Sequence, residues 1–485
     1  MRRIIKWFLL GFTVLLVGIG APLVVFGWEA YQLRYPAAVN MGEMSALHGD
    51  HLSSSDTGPA VSVTDLKDPV TTAPVKSFQI TAQNRRITLD NGEVKQAWTF
   101  NGTTPGPELR VQEGDRLRVT LKNEDIEEGV TIHWHGLVLP NSMDGVAGVT
   151  QNAVKPGETF TYDFIARHAG TFWFHSHQQS SLQANMGLMG RLIVEPKQKA
   201  FSYDRDYAVQ LQEFRDYYLV NGKTKGVRLD AHPGEVVRLR LINSDSDTHE
   251  MTVVGVPFRV VSMDARDLIG PTELENTYLS IGGGQRYDLL FRMPDSGSVQ
   301  VTSSAKDKAS FFIQLGKGDA AEQPSGDLKE FDFTAYGTPA EDGLTVDSPF
   351  DSVHELRLNQ SFLYLTINEK AFHEIPPILV AEGDLVKIKL INQGGGDHPM
   401  HLHGHTFKVL AKNGKPLTGS PIYLDTILLK HGDTYEIAFR ADNPGLWMEH
   451  CHRLWHAENG MTMMVNYQGI TTPYTVGRES GNFPD

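Results

Sequence analysis

The chain of 485 residues contains one cysteine, Cys451, and no stripe of basic residues. A single cysteine excludes an intrachain disulfide and every zinc or iron–sulfur site built on a pair of cysteines. Lysine and arginine total 44 and aspartate and glutamate total 58, so the formal net charge is −14. Because such a chain repels phosphate backbones, nucleic acid is not an expected partner. The 40% share of hydrophobic residues and the length indicate about three globular domains.

A long apolar run follows the basic residues Arg2, Arg3 and Lys6 near the amino terminus. Residues 7–28 carry no charge, and as a helix they would be about 33 Å long, enough to cross a bilayer. A cleaved signal peptide is the alternative, but its apolar core is shorter and no convincing small-x-small cleavage site follows the run here. We therefore predict that residues 1–30 are a membrane anchor. The basic residues should stay in the cytoplasm, which places the rest of the chain on the extracytoplasmic side.

The next segment, residues 31–74, is poor in large apolar side chains and rich in Ser, Thr, Pro and Gly. Its composition predicts a flexible linker between the anchor and the first domain. Met41, Met44, His48 and His51 are residue types that bind copper. Ordinary linker composition is the preferred interpretation, because nothing fixes the geometry of ligands in a flexible segment.

A pattern of a short strand, a glycine turn and a strand of alternating apolar and charged residues occurs three times. Its turns lie at Gly114, Gly234 and Gly383, and a second shared element follows each copy, beginning at Gly157, Gly284 and Gly432. This repetition predicts three homologous β-domains, since turn signals are too frequent for βαβ units. Their predicted bounds are 75–200, 201–330 and 331–475, with a tail at 476–485.

The first and third copies are followed by closely spaced histidines, whereas the middle copy offers only His249 and ends in Ser303 and Ser304. Side chains at i and i+2 of a strand point to the same face, so each His-x-His pair offers two imidazoles to one side. One pair would be typical of a zinc site, but eight imidazoles suit a cluster of three metals shared between two domains. The middle domain is then expected to act as a spacer. This histidine cluster comprises His133, His135, His175, His177, His401, His403, His450 and His452.

Cys451 lies between two histidines of the cluster, so its side chain must point to the opposite face of the strand. It therefore needs a metal of its own. Two histidines, a thiolate and a distant methionine are the ligands of a blue electron-transfer copper. The tripeptide His450-Cys451-His452 would join that copper to the cluster through a few covalent bonds. A copper site joined to a metal cluster in this way can collect single electrons and deliver four of them to dioxygen. The other candidate ligands of this Cys451 site are His398, His456 and Met461.

Four sequence blocks resemble the copper signatures of the three-domain multicopper oxidases, the laccase-like family. They are His-Trp-His-Gly at 133–136, His-Ser-His at 175–177, His-Pro-x-His-x-His-Gly at 398–404 and His-Cys-His followed by His and Met at 450–461. The resemblance takes in about residues 75–470 and implies an all-β chain of three cupredoxin-like Greek-key β-sandwich domains. It also implies four copper ions, dioxygen as electron acceptor and water as product. The predicted transmembrane helix would precede these domains.

Carried over block by block, the resemblance assigns three kinds of copper site. Type 1 copper falls on His398, Cys451, His456 and axial Met461. Type 2 copper falls on His133 and His401. The binuclear type 3 pair falls on His135, His175, His177, His403, His450 and His452.

Dioxygen reduction consumes four protons, so a carboxylate is needed near the cluster. Asp144 resembles in position an acid that the family carries there, with an Asp-Gly turn as the alternative. Many bacterial members also carry a glutamate directly after the last type 1 histidine. Here that residue is Ala457, and Glu458 follows one position later. A shift of one residue on a strand reverses the side-chain direction, so a second proton donor is not assigned. His405 is interpreted as structural.

Our first hypothesis for the donor is a small phenol or aromatic amine, as in a laccase. The alternative is oxidation of Cu(I) for copper tolerance, because soft sulfur beside acids can admit Cu(I). The residues concerned are Met400, Met448, Met463, Met464, Asp397, Glu449 and Glu458. Core packing by these methionines is preferred, since a long Met-rich insertion is missing. Two further alternatives do not account for the histidine cluster. A copper-binding module without turnover does not require a trinuclear set of ligands, and a copper nitrite reductase requires only one mononuclear catalytic copper.

Overall fold

A computed structural model describes residues 31–44, 60–304, 311–318, 327–360 and 364–484. The predicted anchor at 1–30 lies outside these ranges, as do His48 and His51. Within the ranges, no helix is both long enough and apolar enough to cross a membrane. The all-β prediction is confirmed, because the helical segments of the described ranges are short: residues 31–34, Ser180–Met186, Leu454–Glu458 and the 3-10 turns Val63–Asp65, Asn141–Met143, Phe333–Ala335 and Phe372–Glu374.

The first sandwich consists of two four-stranded sheets. In spatial order, one sheet contains Val94–Phe100, Val75–Thr88, Arg116–Asn123 and Thr159–Ile165. The other contains Glu108–Gln112, Met189–Glu195, Gly170–His175 and His133–His135. In Arg116–Asn123, buried residues alternate with more exposed ones. This is the pattern that the sequence predicts for a strand with one face on the core.

The second sandwich consists of two six-stranded sheets. One contains Tyr217–Val220, Arg205–Phe214, Val236–Asn243, Arg286–Arg292, Arg259–Met263 and Arg266–Asp267. The other contains Gly226–Leu229, Phe312–Gly316, Ser298–Ser304, His249–Val254, Thr277–Ile281 and Lys329–Glu330. Strand Val236–Asn243 is buried along almost its whole length.

The third sandwich has sheets of seven and five strands. The larger contains Leu365–Ile367, Ser352–Gln360, Leu385–Asn392, Thr434–Arg440, Phe407–Lys412 and Lys415–Pro416, with Tyr423–Leu424 paired to Phe407–Lys412. The smaller contains Ile378–Val380, Thr462–Tyr467, Leu446–Cys451, His398–Leu402 and Thr426–Leu429. A separate two-stranded sheet joins Val61–Ser62 to Ile470–Thr471.

The amino-terminal segment differs from the flexible linker predicted for residues 31–74. Val39 exchanges backbone hydrogen bonds of 2.8 and 2.9 Å with Val476. Met41 and Met44 are buried in an apolar cluster with side chains that include Leu446 and Met448. Residues 31–44 therefore form a strap packed on the third sandwich, because apolar contacts compensate for the ordering of the backbone. In this strap the two methionines serve as packing residues.

Buried charges join the first and second sandwiches. The carboxylate of Asp288 accepts hydrogen bonds from Arg238 at 2.7 Å, Arg240 at 3.1 Å and the hydroxyl of Thr171 at 2.8 Å. Thr171 belongs to the first sandwich and the other three residues to the second. Because these side chains are screened from water, removal of one charge would leave its partner buried without full compensation.

We predict that Asp288→Ala lowers the free energy of unfolding by about 3–5 kcal/mol, because it removes the closest counter-ion of the buried Arg238 guanidinium and leaves Arg240 with Asp206 alone. The measurement is the midpoint of urea unfolding. Glu273→Ala is the control, since Glu273 forms an exposed pair with Arg259 and should cost less than about 1 kcal/mol. Equal losses for the two variants would contradict the account.

Candidate metal centre

Two antiparallel strand pairs carry the histidine pairs of the first and third sandwiches. His133–His135 pairs with Gly170–His175, and His398–Leu402 pairs with Leu446–Cys451. The register sets histidines opposite one another in both sandwiches: His133 opposite His175, and His401 opposite His450. Since alternate residues of a strand share a face, each pair directs its imidazoles to one side.

The eight imidazoles of the histidine cluster meet at the contact between the two sandwiches. The ring of His133 stacks on that of His403 with centroids 3.8 Å apart, and His135 stacks on His401 at the same distance. The Nε2 atoms of His403 and His450 are 3.1 Å apart. All eight side chains are almost completely buried. The structure thus brings together every residue that the sequence placed in the cluster.

Most rings of the cluster hold one nitrogen against a protein acceptor. The Nδ1 atom of His133 bonds to the Asp144 carbonyl at 3.0 Å, and that of His401 to the Asp425 carbonyl at 2.9 Å. The other Nδ1 partners are the Ser176 carbonyl for His175, the Pro484 carbonyl for His177, the Asp144 carboxylate for His403 and the Cys451 carbonyl for His450. This arrangement fixes the tautomer and leaves the second nitrogen of each ring available to a metal.

Several of those second nitrogens are buried without a hydrogen-bond partner among the described residues. They are Nε2 of His133, His175 and His401 and Nδ1 of His135. A buried polar atom of this kind is costly unless something binds it. Donor atoms also gather in overlapping sets within 4.8 Å, such as His133, His401 and His403, and His177, His403 and His450. Overlapping sets of imidazoles fit more than one metal ion, so the residues present suit a cluster of coppers.

Burial also favours the neutral form of several imidazoles in the cluster. Desolvation, and then the neighbouring imidazoles, lower the pKa of His177, His401 and His403 well below the ordinary range. Desolvation lowers the pKa of His450 to about 3. Neutral imidazole is the form that binds a metal.

The Cys451 site lies on the opposite face of strand Leu446–Cys451. The Sγ atom of Cys451 is 3.7 Å from Nδ1 of His398 and 3.5 Å from Nδ1 of His456, and those two nitrogens are 3.1 Å apart. Met461 is fully buried, and its carbonyl accepts the Cys451 N–H at 3.1 Å. Burial raises the pKa of the Cys451 thiol to about 12. The thiolate therefore requires a bound cation, and the donor set suits copper.

The two acids considered from the sequence lie in different surroundings, and only Asp144 is at the cluster. Asp144 lies beside the cluster, with its carboxylate 2.9 Å from Nδ1 of His403 and 3.2 Å from Nδ1 of His133. Glu458 instead forms an ion pair with Arg34 in the strap. The prediction that Ala457 and Glu458 lie on a strand and point in opposite directions was wrong, because both residues lie in the helix Leu454–Glu458.

The sequence interpretation missed a buried network supplied partly by the middle sandwich. The guanidinium of Arg286 donates to the two carboxylate oxygens of Asp425 at 2.7 and 2.6 Å and to the Thr171 carbonyl at 3.0 Å. Asp425 lies 3.3 Å from Nε2 of His135. The middle sandwich therefore supports the cluster as well as spacing its neighbours. One signal was available: at the third position of the shared element, Arg286 replaces a threonine present in the other two copies.

A cavity of about 400 Å³ lies beside His456, between the helices Ser180–Met186 and Leu454–Glu458. Leu182, Leu454 and Trp455 line it together with Glu213 and Asp245. The four methionines near the Cys451 site do not line this cavity, and each is at most 3% exposed: Met400, Met448, Met463 and Met464. Glu449 is likewise buried, and desolvation raises its pKa to about 8.

Comparison with known proteins agrees with this geometry. Three models of the multicopper oxidase family match residues 81–199, 193–308 and 345–469. Multicopper oxidase MmcO of Mycobacterium tuberculosis is 27% identical over 453 residues, covering 80% of this chain and 86% of the relative. Laccase-2 of Botryotinia fuckeliana is 29% identical over 484 residues, covering 81% and 82%.

A solved multicopper oxidase from Pseudomonas thermotolerans is also similar to the chain. It is 30% identical, with a TM-score of 0.69, and the match covers 82% of this chain and 100% of that one. The matched regions contain the whole histidine cluster and the Cys451 site. The chain belongs to the multicopper oxidase family, whose members are oxidoreductases that use dioxygen.

Proposed function

We propose that the chain is a laccase-type oxidase that takes single electrons from small aromatic donors at the Cys451 site and reduces dioxygen to water at the histidine cluster. The observation that carries this proposal is the position of Cys451 between two cluster histidines on adjoining backbone. Copper, when bound, would supply the one-electron redox chemistry at both sites. The protein supplies the positions of the ligands, the exclusion of water and the route for protons.

We assign the ligands in agreement with the sequence resemblance. One copper would be held by His398, Cys451, His456 and Met461, and a second by His133 and His401. A coupled pair would be held by His135, His175, His177, His403, His450 and His452. The convergence of Nδ1 atoms on the Cys451 sulfur supports the first assignment. The grouping of His177, His403 and His450 supports the coupled pair.

His450 and His452 connect the two sites through the backbone on either side of Cys451. The Nδ1 atom of His450 bonds to the Cys451 carbonyl at 3.2 Å, which provides a hydrogen-bonded route alongside the covalent one. A copper-storage module would have no need of this connection. The arrangement therefore favours turnover over storage.

Asp144 is our candidate for holding and passing protons at the cluster. Its carboxylate accepts the Nδ1 proton of His403 and lies near His133. Because the carboxylate is only 1% exposed, its charge acts at short range on the rings that it touches.

The cavity beside His456 favours an aromatic donor over Cu(I). Its apolar wall can hold a ring, and the Glu213 carboxylate can accept a hydroxyl or amine proton. The methionines that would attract Cu(I) are packed in the core instead. Cuprous oxidation therefore has less support from the geometry.

We predict that Cys451→Ser abolishes donor oxidation and removes the absorption band near roughly 600 nm, because a hydroxyl does not replace the thiolate as a copper ligand. Circular dichroism should show the fold intact. Oxygen uptake with a phenol is the measurement. Retention of phenol oxidation by this variant would contradict the assignment of the Cys451 site as the place where electrons enter.

We predict that Asp144→Asn slows dioxygen uptake at saturating donor by about 10–100-fold, because the amide lacks the charge that orients and polarises His403. Electron entry should persist, so anaerobic bleaching of the absorption band by a phenol should keep its rate. The control Asp295→Asn changes an exposed aspartate and should leave both rates unchanged. Slowed bleaching in the Asp144 variant would show that its effect is not confined to the cluster.

We predict that kcat/KM for a phenol exceeds that for Cu(I) by at least about tenfold. The physical reason is the cavity beside His456, in which Leu182, Leu454 and Trp455 offer apolar contacts to a ring. Steady-state oxygen uptake with each donor supplied alone measures both constants. The opposite ranking would favour the cuprous alternative.

A further inference from the structure

Two large apolar side chains at the rim of the cavity beside His456 are exposed to water. Leu182 and Trp455 are each 44% exposed, and they belong to the two helices that bound the cavity. The ring of Trp455 packs edge-on against His456 with centroids 4.4 Å apart. Large exposed apolar side chains gathered at one opening mark a surface that meets another apolar phase or molecule.

The amino-terminal strap reaches this same rim. Arg34 forms an ion pair with Glu458, which lines the cavity. Residues 31–34 are helical, and Tyr31 is 43% exposed. The guanidinium of Arg478 lies over the Tyr31 ring, 5.5 Å from its centroid. The start of the strap is thus held against the third sandwich at the mouth of the cavity.

The position of the strap limits how far the cavity can lie from a membrane. The apolar run 7–28, predicted from sequence to be an anchor, ends six residues before Arg34. Six residues span at most about 20 Å. Tyrosine, tryptophan and leucine are the side chains expected where a protein meets the bilayer interface. A protein held by that anchor would therefore place the cavity mouth close to the lipid.

We propose that the cavity opens toward the membrane and that the donor is a lipid-soluble hydroquinone whose apolar tail remains in the bilayer. This inference rests on the laccase-type function proposed above and on the predicted anchor. A single aromatic headgroup fits a cavity of about 400 Å³. Leu182, Leu454 and Trp455 would contact the ring, and the Glu213 carboxylate would accept a proton from a hydroxyl group.

The overall reaction balances without a further reactant. Two hydroquinones and one dioxygen give two quinones and two waters. Each hydroquinone loses two electrons singly through His456 to the Cys451 site, and its two O–H bonds break to release two protons. The four electrons and four protons are those that dioxygen consumes at the histidine cluster.

The first test uses the copper-loaded full chain in phosphatidylcholine vesicles. The donors are a hydroquinone with an isoprenoid tail and the same headgroup without a tail, each at equal total concentration. We expect the tailed donor to have a kcat/KM at least about tenfold higher, because the bilayer concentrates it at the cavity mouth. Oxidation of both donors at equal kcat/KM overturns this inference alone. Oxidation of neither donor overturns the proposed function as well.

The second test measures how close the cavity mouth lies to the lipid and does not depend on activity. Leu182→Cys is labelled with a fluorophore in the copper-loaded full chain, in which Cys451 is buried. Vesicles carry a nitroxide-labelled lipid as quencher. The control is Ile269→Cys, because Ile269 is 47% exposed and follows the edge strand Arg266–Asp267. In its sheet this strand lies four strands away from Arg205–Phe214, which carries Glu213.

We expect the label at position 182 to be quenched several times more strongly than the label at position 269. Because both positions are solvent-exposed on the same protein, the difference reports only their distance from the lipid. Equal quenching at the two positions overturns the placement of the cavity at the membrane.

Discussion

The structure depends on burying eight imidazoles together without burying their charge. Desolvation makes an imidazolium unfavourable here, so the rings must stay neutral, and each ring then has one N–H to donate and one lone pair to place. Carbonyl oxygens and Asp144 accept most of the N–H groups. The lone pairs converge on one another, and only a bound metal satisfies them. Burial thus requires neutral rings, and the hydrogen bonds from their N–H groups orient the remaining lone pairs toward a metal.

This requirement extends to the way the sandwiches fit together. The rings come from the first and third sandwiches, so an error in their relative position would misdirect lone pairs from both. Arg286 limits that error, because its buried guanidinium contacts the first sandwich at Thr171 and the third at Asp425. Gly284 allows the backbone of the middle sandwich to lie against the histidine cluster, since a Cβ there would lie 2.9 Å from Cε1 of His135. The sandwich without a histidine pair therefore contributes to the precision of the centre.

The features that the sequence predicts well are those governed by local periodicity and by repetition. His-x-His pairs on strands share a face whatever surrounds them, and a threefold repeat indicates which copies carry ligands. Arg286 and Asp425 escaped prediction because their roles arise only when separate sandwiches meet. The packing of Met41 and Met44 escaped for the same reason, since linker composition says nothing about a distant apolar surface. Glu458 was judged by strand alternation although it lies in a helix.

We infer that a mononuclear copper at Cys451 would be connected through His450 and His452 to a multinuclear copper cluster. Copper analysis of the copper-loaded full chain, combined with its absorption and EPR spectra, tests that claim most directly. The account predicts about four coppers per chain and an intense band near roughly 600 nm. It also predicts an EPR signal from only half of the copper, because the coupled pair is silent. One or two coppers per chain and a colourless protein would contradict it.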